Sequence, residues 1–309
     1  MKTAAKKVAQ KVEKKGAEAA ATAVNDDILI FQADNSDGKI TPETIQEAFE
    51  KSGFYIAANN NMNIPYKRDF NNTYYDVYNL AAYYNKDIVA QFIKEYPKIG
   101  LFAPISMSIY TKKGDKTISI ATLSVKRMAE ISGIPADHKG WKALDELIKK
   151  ALKAALPNGK FIQANNRKID VKAPLVVEAS MKMGEEWEDK LEDLENDFES
   201  ALSPNGFSMP AFNELSDEID DTGYDFYITY SICKIPVIYA ISKEHPEAGA
   251  YAPCSMYMYK KEGDDTVHFG FPSVYNWISS MGIEDEASKK ILIDAEEKFK
   301  NILKELTSK

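Results

Sequence analysis

The chain repeats itself, and that repetition limits what it can fold into more than any single motif does. Residues 94–117, KEYPKIGLFAPISMSIYTKKGDKT, align without a gap on residues 243–266, KEHPEAGAYAPCSMYMYKKEGDDT, at an offset of 149. Extended to residues 75–134 against 224–283, 20 of 60 positions are identical. The sequence therefore reads as a tandem duplication. Its parts are a basic Lys/Ala-rich leader at 1–25, a first unit at 26–158, a polar linker at 159–170 and a second unit at 171–309.

Each unit predicts a mixture of strands and helices. Residues 27–33 (DILIFQA) and 174–180 (PLVVEAS) have the β-branched and apolar content of strands. A helix follows, with Thr41 as N-cap, Pro42 at its first position and Gly53 at its end. Its counterpart places Trp187, Leu191, Leu194, Phe198 and Ala201 at helical spacing, with nine acidic residues from Glu185 to Glu199 around them. Those acids read as a solvated helix surface rather than a metal site. Next come a strand at 75–83 (224–232), a short helix ending near a shared Glu-x-Pro, and a hairpin. The hairpin is SMYMYK, a turn at 262–265 and TVHFGF, with SMSIYT, residues 113–116 and TISIAT in the first unit. Ser124 and Ser273 are expected to cap a further helix, and a long C-terminal helix runs over about 285–306. The fold class expected is α+β: two tandem two-layer α/β sandwich domains, with helices on one face of each sheet.

Composition and charge remove several function classes. No stretch approaches the roughly 18–20 uncharged apolar residues of a transmembrane helix. Cys233 and Cys254 are the only cysteines, which excludes a disulfide framework and a zinc cage of cysteines. The net charge of −8 repels phosphate backbones, so nucleic acid is not an expected partner. The leader holds six lysines against Glu13 and Glu18, which makes it +4 beside −12 for the rest. It starts Met-Lys but has no apolar h-region, so it is not expected to be a signal peptide, and cytoplasm and periplasm both stay open.

Candidate sites fall mostly to plainer readings. Residues 33–44 echo a calcium loop, but Ala33 and Thr44 stand where its first and twelfth ligands belong. Cys254, Met256 and Met258 alternate along one strand face and suggest a soft copper(I) site, yet the register sets Met258 opposite Phe269 and Met256 opposite Phe271, which is a core face. No metal site and no cofactor are expected. A parallel crossover would part Cys233 and Cys254 by about 20–30 Å, whereas an antiparallel arrangement removes that separation; both are expected to be free thiols. The opposite hairpin face carries Ser255, Tyr257, Tyr259, Thr266 and His268, joined by Asp225 and Tyr227. The first unit offers Asp76, Tyr78, Ser106, Ser108, Tyr110, Thr117 and Ser119 there. Such a face suits a ligand pocket walled by tyrosines, the surface on which the two units pack, or a wet outer face.

The Glu-x-Pro-x-x-Gly helix exit, the Ala-Pro-Cys strand entry at 252–254 and the Lys-x-Gly-Asp hairpin turn resemble the domain of unknown function 302 family, in its tandem-domain members. The resemblance covers both units. It implies a compact α/β domain, and cysteines that map onto Cys233, ahead of Pro236, and onto Cys254; the first unit carries Tyr84 and Ile105 instead. It implies no established activity. The expected function is a non-catalytic binding or interaction protein for a small molecule or protein, able to form a homodimer. Its ligand candidates are Asp225, Tyr227, Tyr257, Tyr259 and His268. The alternative is a thiol-dependent enzyme or sulfur-handling protein using Cys254 or Cys233.

Overall fold

The computed structural model describes residues 25–164, 167–184 and 186–308. Nearly all of the basic leader, the linker pair Asn165-Asn166 and the first acid of the run, Glu185, lie outside the described residues. The first unit starts with β1 (Ile28–Asp34), which feeds α1 (Pro42–Ser52). Thr41 caps α1 through a reciprocal pair with Thr44, Pro42 fits its first turn, and Gly53 ends it in the left-handed region at φ 107°. Then follow β2 (Tyr55–Asn61), α2 (Asn63–Phe70), β3 (Tyr75–Tyr84), α3 (Lys86–Ala90) and a 3₁₀ segment at Pro97–Phe102. The hairpin strands β4 (Ile105–Lys112) and β5 (Thr117–Leu123) lead to α4 (Val125–Ser132), capped by Ser124, and α5 (Lys139–Ala155). A short β6 (Lys160–Ile162), inside the segment expected to be linker, pairs with β1 at the sheet edge.

The second unit runs β7 (Val176–Lys182), α6 (Trp187–Leu202), β8 (Ser208–Glu214), α7 (Leu215–Glu218), β9 (Tyr224–Cys233) and α8 (Ile235–Ser242). A 3₁₀ segment at Pro246–Ala250 precedes β10 (Cys254–Lys261), β11 (Thr266–Pro272), α9 (Tyr275–Met281) and α10 (Glu286–Thr307), capped by Asp285. The molecule is thus α+β with two separate antiparallel sheets. Their orders are β2-β3-β4-β5-β1-β6 and β8-β9-β10-β11-β7, so five strands follow the same path in each.

Apolar faces decide the layering. In the first unit Ile45 and Phe49 of α1 and Trp141, Leu144, Ile148 and Leu152 of α5 are buried with the sheet residues Met107, Ile109, Ile118 and Ile120. In the second, Leu194, Phe198 and Leu202 of α6 and Phe299, Ile302 and Leu303 of α10 cover Ile228, Met256, Met258, Phe269 and Phe271. Met258 lies opposite Phe269, and the sulfur atoms there fill core space. The acidic positions of α6 are mostly exposed, as its amphipathic spacing requires. Helices therefore cover one face of each sheet, and the other faces meet each other.

Candidate functional site

The meeting faces are rich in hydroxyl groups, and many of them are answered by a main-chain carbonyl of the other unit. Tyr75 donates to the Ser242 carbonyl, and Tyr224 to that of Ile93 at 2.7 Å. Tyr78 reaches the Pro246 carbonyl at 3.2 Å, and Tyr227 that of Pro97. Ser106 donates to Pro253, and Ser255 to Pro104 at 2.6 Å. Each pair of bonds is one bond written twice, with both residues shifted by 149 and the units exchanged. The carbonyls come from the two 3₁₀ segments and their flanks, whose geometry leaves them pointing at the facing sheet instead of at water. Buried hydroxyls need such partners, and desolvation raises the tyrosine pKa values along this seam.

The residues that sequence patterning offered as a ligand face divide on this seam. Tyr227 and Tyr257 are buried, and the Tyr257 hydroxyl donates at 3.0 Å to Glu178, which pairs with Lys98 of the first unit at 2.8 Å. Tyr259 stacks between Tyr227 and His268, at 5.3 and 5.0 Å between ring centroids. His268 stays half-buried at the edge, 3.8 Å from Asp264. Asp225 does not join them. The ladder slips from Lys260 opposite Phe226 to Lys261 opposite Tyr224, so this bulge sets Tyr224 on the seam face and leaves Asp225 to pair with the buried ammonium of Lys260. The same slip in β3 puts Tyr75 on the seam, while Asp76 accepts the Gly114 N–H at 2.9 Å.

The two cysteines converge elsewhere. β9 and β10 are antiparallel neighbours with Cys254 opposite Ile232, so Cys233 and Cys254 stand at the same end of adjacent strands, and the separation expected of a parallel crossover is absent. Both are free thiols. They line an apolar cavity of about 70 Å³ between the second sheet and its helices, walled also by Phe207, Met256, Phe271, Trp277, Leu292 and Phe299. Burial pushes both thiols up to about 12, which keeps them protonated at neutral pH. Neither histidine of this unit acts on them. His245 Nδ1 faces Glu247 at 3.3 Å, and His268 lies on Tyr259.

The first unit fills the matching place. Tyr83 stands where the second unit has Ile232, and its ring packs against Phe49 and Phe54 at 5.1 and 4.9 Å while its hydroxyl meets Thr122 at 2.8 Å. Ile105 stands in place of Cys254, and Tyr84, in place of Cys233, reaches across the seam to Glu218 at 2.5 Å. Two further clefts lie along the seam. One is polar, about 250 Å³, and includes Gln32, Tyr110, Ser119 and Glu247; the other is apolar, about 380 Å³, between the edge strands β2 and β8, and also touches Cys233. No group of three or more His, Cys, Asp or Glu side chains is placed to hold a metal among the described residues. Within the same limits no helix is long and apolar enough to cross a membrane.

The chain is similar to one family by sequence. Residues 185–306 match the family model described as "Domain of unknown function DUF302". No curated protein matches the chain. Among solved structures, a DUF302 protein from Bacillus stearothermophilus is similar at 20% identity over 43% of this chain and 98% of that one, with a TM-score of 0.35. Over residues 185–306, then, this chain is similar to the DUF302 family.

Proposed function

We propose that the chain is a non-catalytic binding protein built by tandem duplication, in which the first unit braces the second and the second receives a small apolar ligand between its sheet and α8, α9 and α10. The shared strand order and the reciprocal seam bonds support the duplication. One observation carries the binding role: where the first unit packs Tyr83 and Ile105, the second has Ile232 and Cys254 and leaves about 70 Å³ open. Such a void costs about 2 kcal/mol in missing contacts, a loss that selection tolerates where function uses the space.

The test is the thermal and chemical stability of the full chain with small apolar probes such as cyclopentane and benzene, repeated in Cys254→Ile and Ile232→Phe, which restore bulk of the first unit's kind. Binding raises the wild-type stability, and the filled variants respond less. Equal responses in wild type and both variants would overturn the cavity as the site. The polar seam face predicts the reverse pattern, with a ligand response lost in Tyr257→Ala and His268→Ala and kept in Cys254→Ile. The ligand on this reading is a small molecule and not nucleic acid, whose phosphates the net charge of −8 opposes. A mass measurement across concentration tests homodimer formation.

A second reading is favoured by the convergence of both thiols on one cavity: a thiol-dependent or sulfur-handling protein using Cys254 or Cys233. It requires a thiol that alkylates quickly near neutral pH, against the raised values that burial imposes. Slow, denaturant-dependent labelling of both cysteines removes it.

A further inference from the structure

The cavity of the second unit also sets a chemical requirement on its occupant, an inference that rests on the binding role proposed above. Two charged side chains line it, and protein partners hold both. Glu296 accepts the Ser273 hydroxyl at 2.7 Å and the Val274 N–H at 2.8 Å, and it pairs with Lys300 at 2.7 Å. Lys234 donates to the Asn205 carbonyl, and its ammonium lies 4.4 Å from the Phe207 ring centroid. The Cys254 thiol donates to the Tyr251 carbonyl at 3.1 Å.

Trp277 is the exception. It is 3% exposed, its indole Nε1 has no oxygen or nitrogen acceptor among the described residues, and the Cys254 thiol beside it on the cavity wall, a weak sulfur acceptor, is the group it interacts with. A buried N–H in this state is rare and calls for a partner. Trp141 in the first unit also has an Nε1 without an acceptor among the described residues, but its ring packs on Phe92 at 4.7 Å and it lines none of the three cavities described above. The combination of an apolar void and a donor on its wall that meets only a weakly accepting thiol is what singles out Trp277.

We propose that the cavity takes a small neutral molecule with an apolar body and one hydrogen-bond acceptor, which Trp277 Nε1 receives. An anion would meet the Glu296 carboxylate and an apolar wall, and a cation would find no free acceptor in the lining just described. A plain hydrocarbon would fill the space and leave the indole unanswered.

Cyclopentanone and cyclopentane share a ring and differ by the acceptor, so the full chain is titrated with each, by thermal shift and by ¹H–¹⁵N NMR of the indole groups. The ketone is expected to bind about threefold to tenfold more tightly, the range of one net hydrogen bond. One indole resonance, assigned to Trp277 by Trp141→Phe and Trp187→Phe spectra, should move with the ketone and not with cyclopentane. Trp277→Phe should bring the ketone to the level of cyclopentane, and the NMR readout stands even where that variant folds poorly. Equal binding of both probes would overturn this inference and leave the binding role intact. Binding of neither would overturn both, and a ketone preference with an unmoved Trp277 resonance would overturn the donor assignment.

Discussion

Tyr227→Phe and Tyr78→Phe remove the same atom from equivalent positions of the two units, yet the seam assigns them different costs. Tyr227 donates to the Pro97 carbonyl, and Tyr78 to the Pro246 carbonyl. The Pro246 carbonyl also accepts from Ser108 at 3.0 Å. In the second unit Tyr257 occupies the place of Ser108, and its hydroxyl turns to Glu178 instead, so the Pro97 carbonyl has Tyr227 as its side-chain donor among the described residues. Both positions are fully buried, and both rings remain in the Phe variants. Losing the Tyr227 hydroxyl removes the side-chain donor of a half-buried carbonyl and leaves it without one among the described residues, a cost of about 1–3 kcal/mol. Losing that of Tyr78 leaves the Ser108 bond in place, so only a net hydrogen bond is lost, about 0.5–1 kcal/mol. Urea denaturation read by circular dichroism measures both, as midpoint shifts at unchanged slope. Adding Ser108→Ala to Tyr78→Phe strips the Pro246 carbonyl of both donors and should bring the cost at least to that of Tyr227→Phe. Equal costs for the two single variants, or a larger one for Tyr78→Phe, would refute this account of the seam.

Other consequences follow from the same packing. Arg127 is 1% exposed and joins Asp27 at 3.5 Å, Glu130 at 2.7 Å and, across the seam, Asn276 at 2.8 Å. Arg127→Met should cost about 3 kcal/mol, the low end for a broken buried pair, because Asp27 keeps Lys168 at 3.1 Å and Ser280 at 2.6 Å; a loss under about 1 kcal/mol in urea unfolding would contradict that. Because the larger core cluster runs from the first unit through the seam into the second, calorimetry should show one cooperative transition, and two resolved transitions would contradict a structural seam. Burial holds the thiols of Cys233 and Cys254 and the phenols of Tyr251 and Tyr259 at about 12, against ordinary values of 9.0 and 10.0. The unfolded chain therefore releases these protons first, so stability that is complete below about pH 9 declines as pH rises towards about 12. A urea midpoint that stayed level over that range, or tyrosinate absorbance that appeared in full before unfolding, would count against it.

What the sequence disclosed was whatever depends on local periodicity. The cap at Thr41, the amphipathic α6, and the hairpin with Met258 opposite Phe269 follow from spacing alone. The strands β2 (YIAANNN) and β8 (SMPAFNE) escaped it, because asparagine runs and a proline carry no strand signal. They are edge strands, and backbone pairing to β3 and β9 holds them. Asp225 escaped for a different reason: a bulge changes which residues share a face without leaving a mark in the residue types. The cavity depends on how side chains from β9, β10, α9 and α10 meet, which no window of sequence contains.

The two units nevertheless carried a signal about the cavity in how they differ. The positions they share include Tyr75 and Tyr224, Tyr78 and Tyr227, Ser106 and Ser255, Pro97 and Pro246, and Pro104 and Pro253, and all of these make reciprocal seam bonds. Gly100 and Gly249 belong with them, since a Cβ on the first would strike the Tyr227 ring and one on the second the side chains of Ser108 and Leu80. In an arrangement where each unit presents to the other what the other presents to it, a change at one such position loses a fit that both units use in matching places. Residues on the helix side of the sheet make none of these reciprocal bonds and fall outside that constraint. Tyr83 against Ile232, Ile105 against Cys254 and Met128 against Trp277 all differ on that side, and together they separate a packed core from one that holds a cavity with an indole donor on its wall.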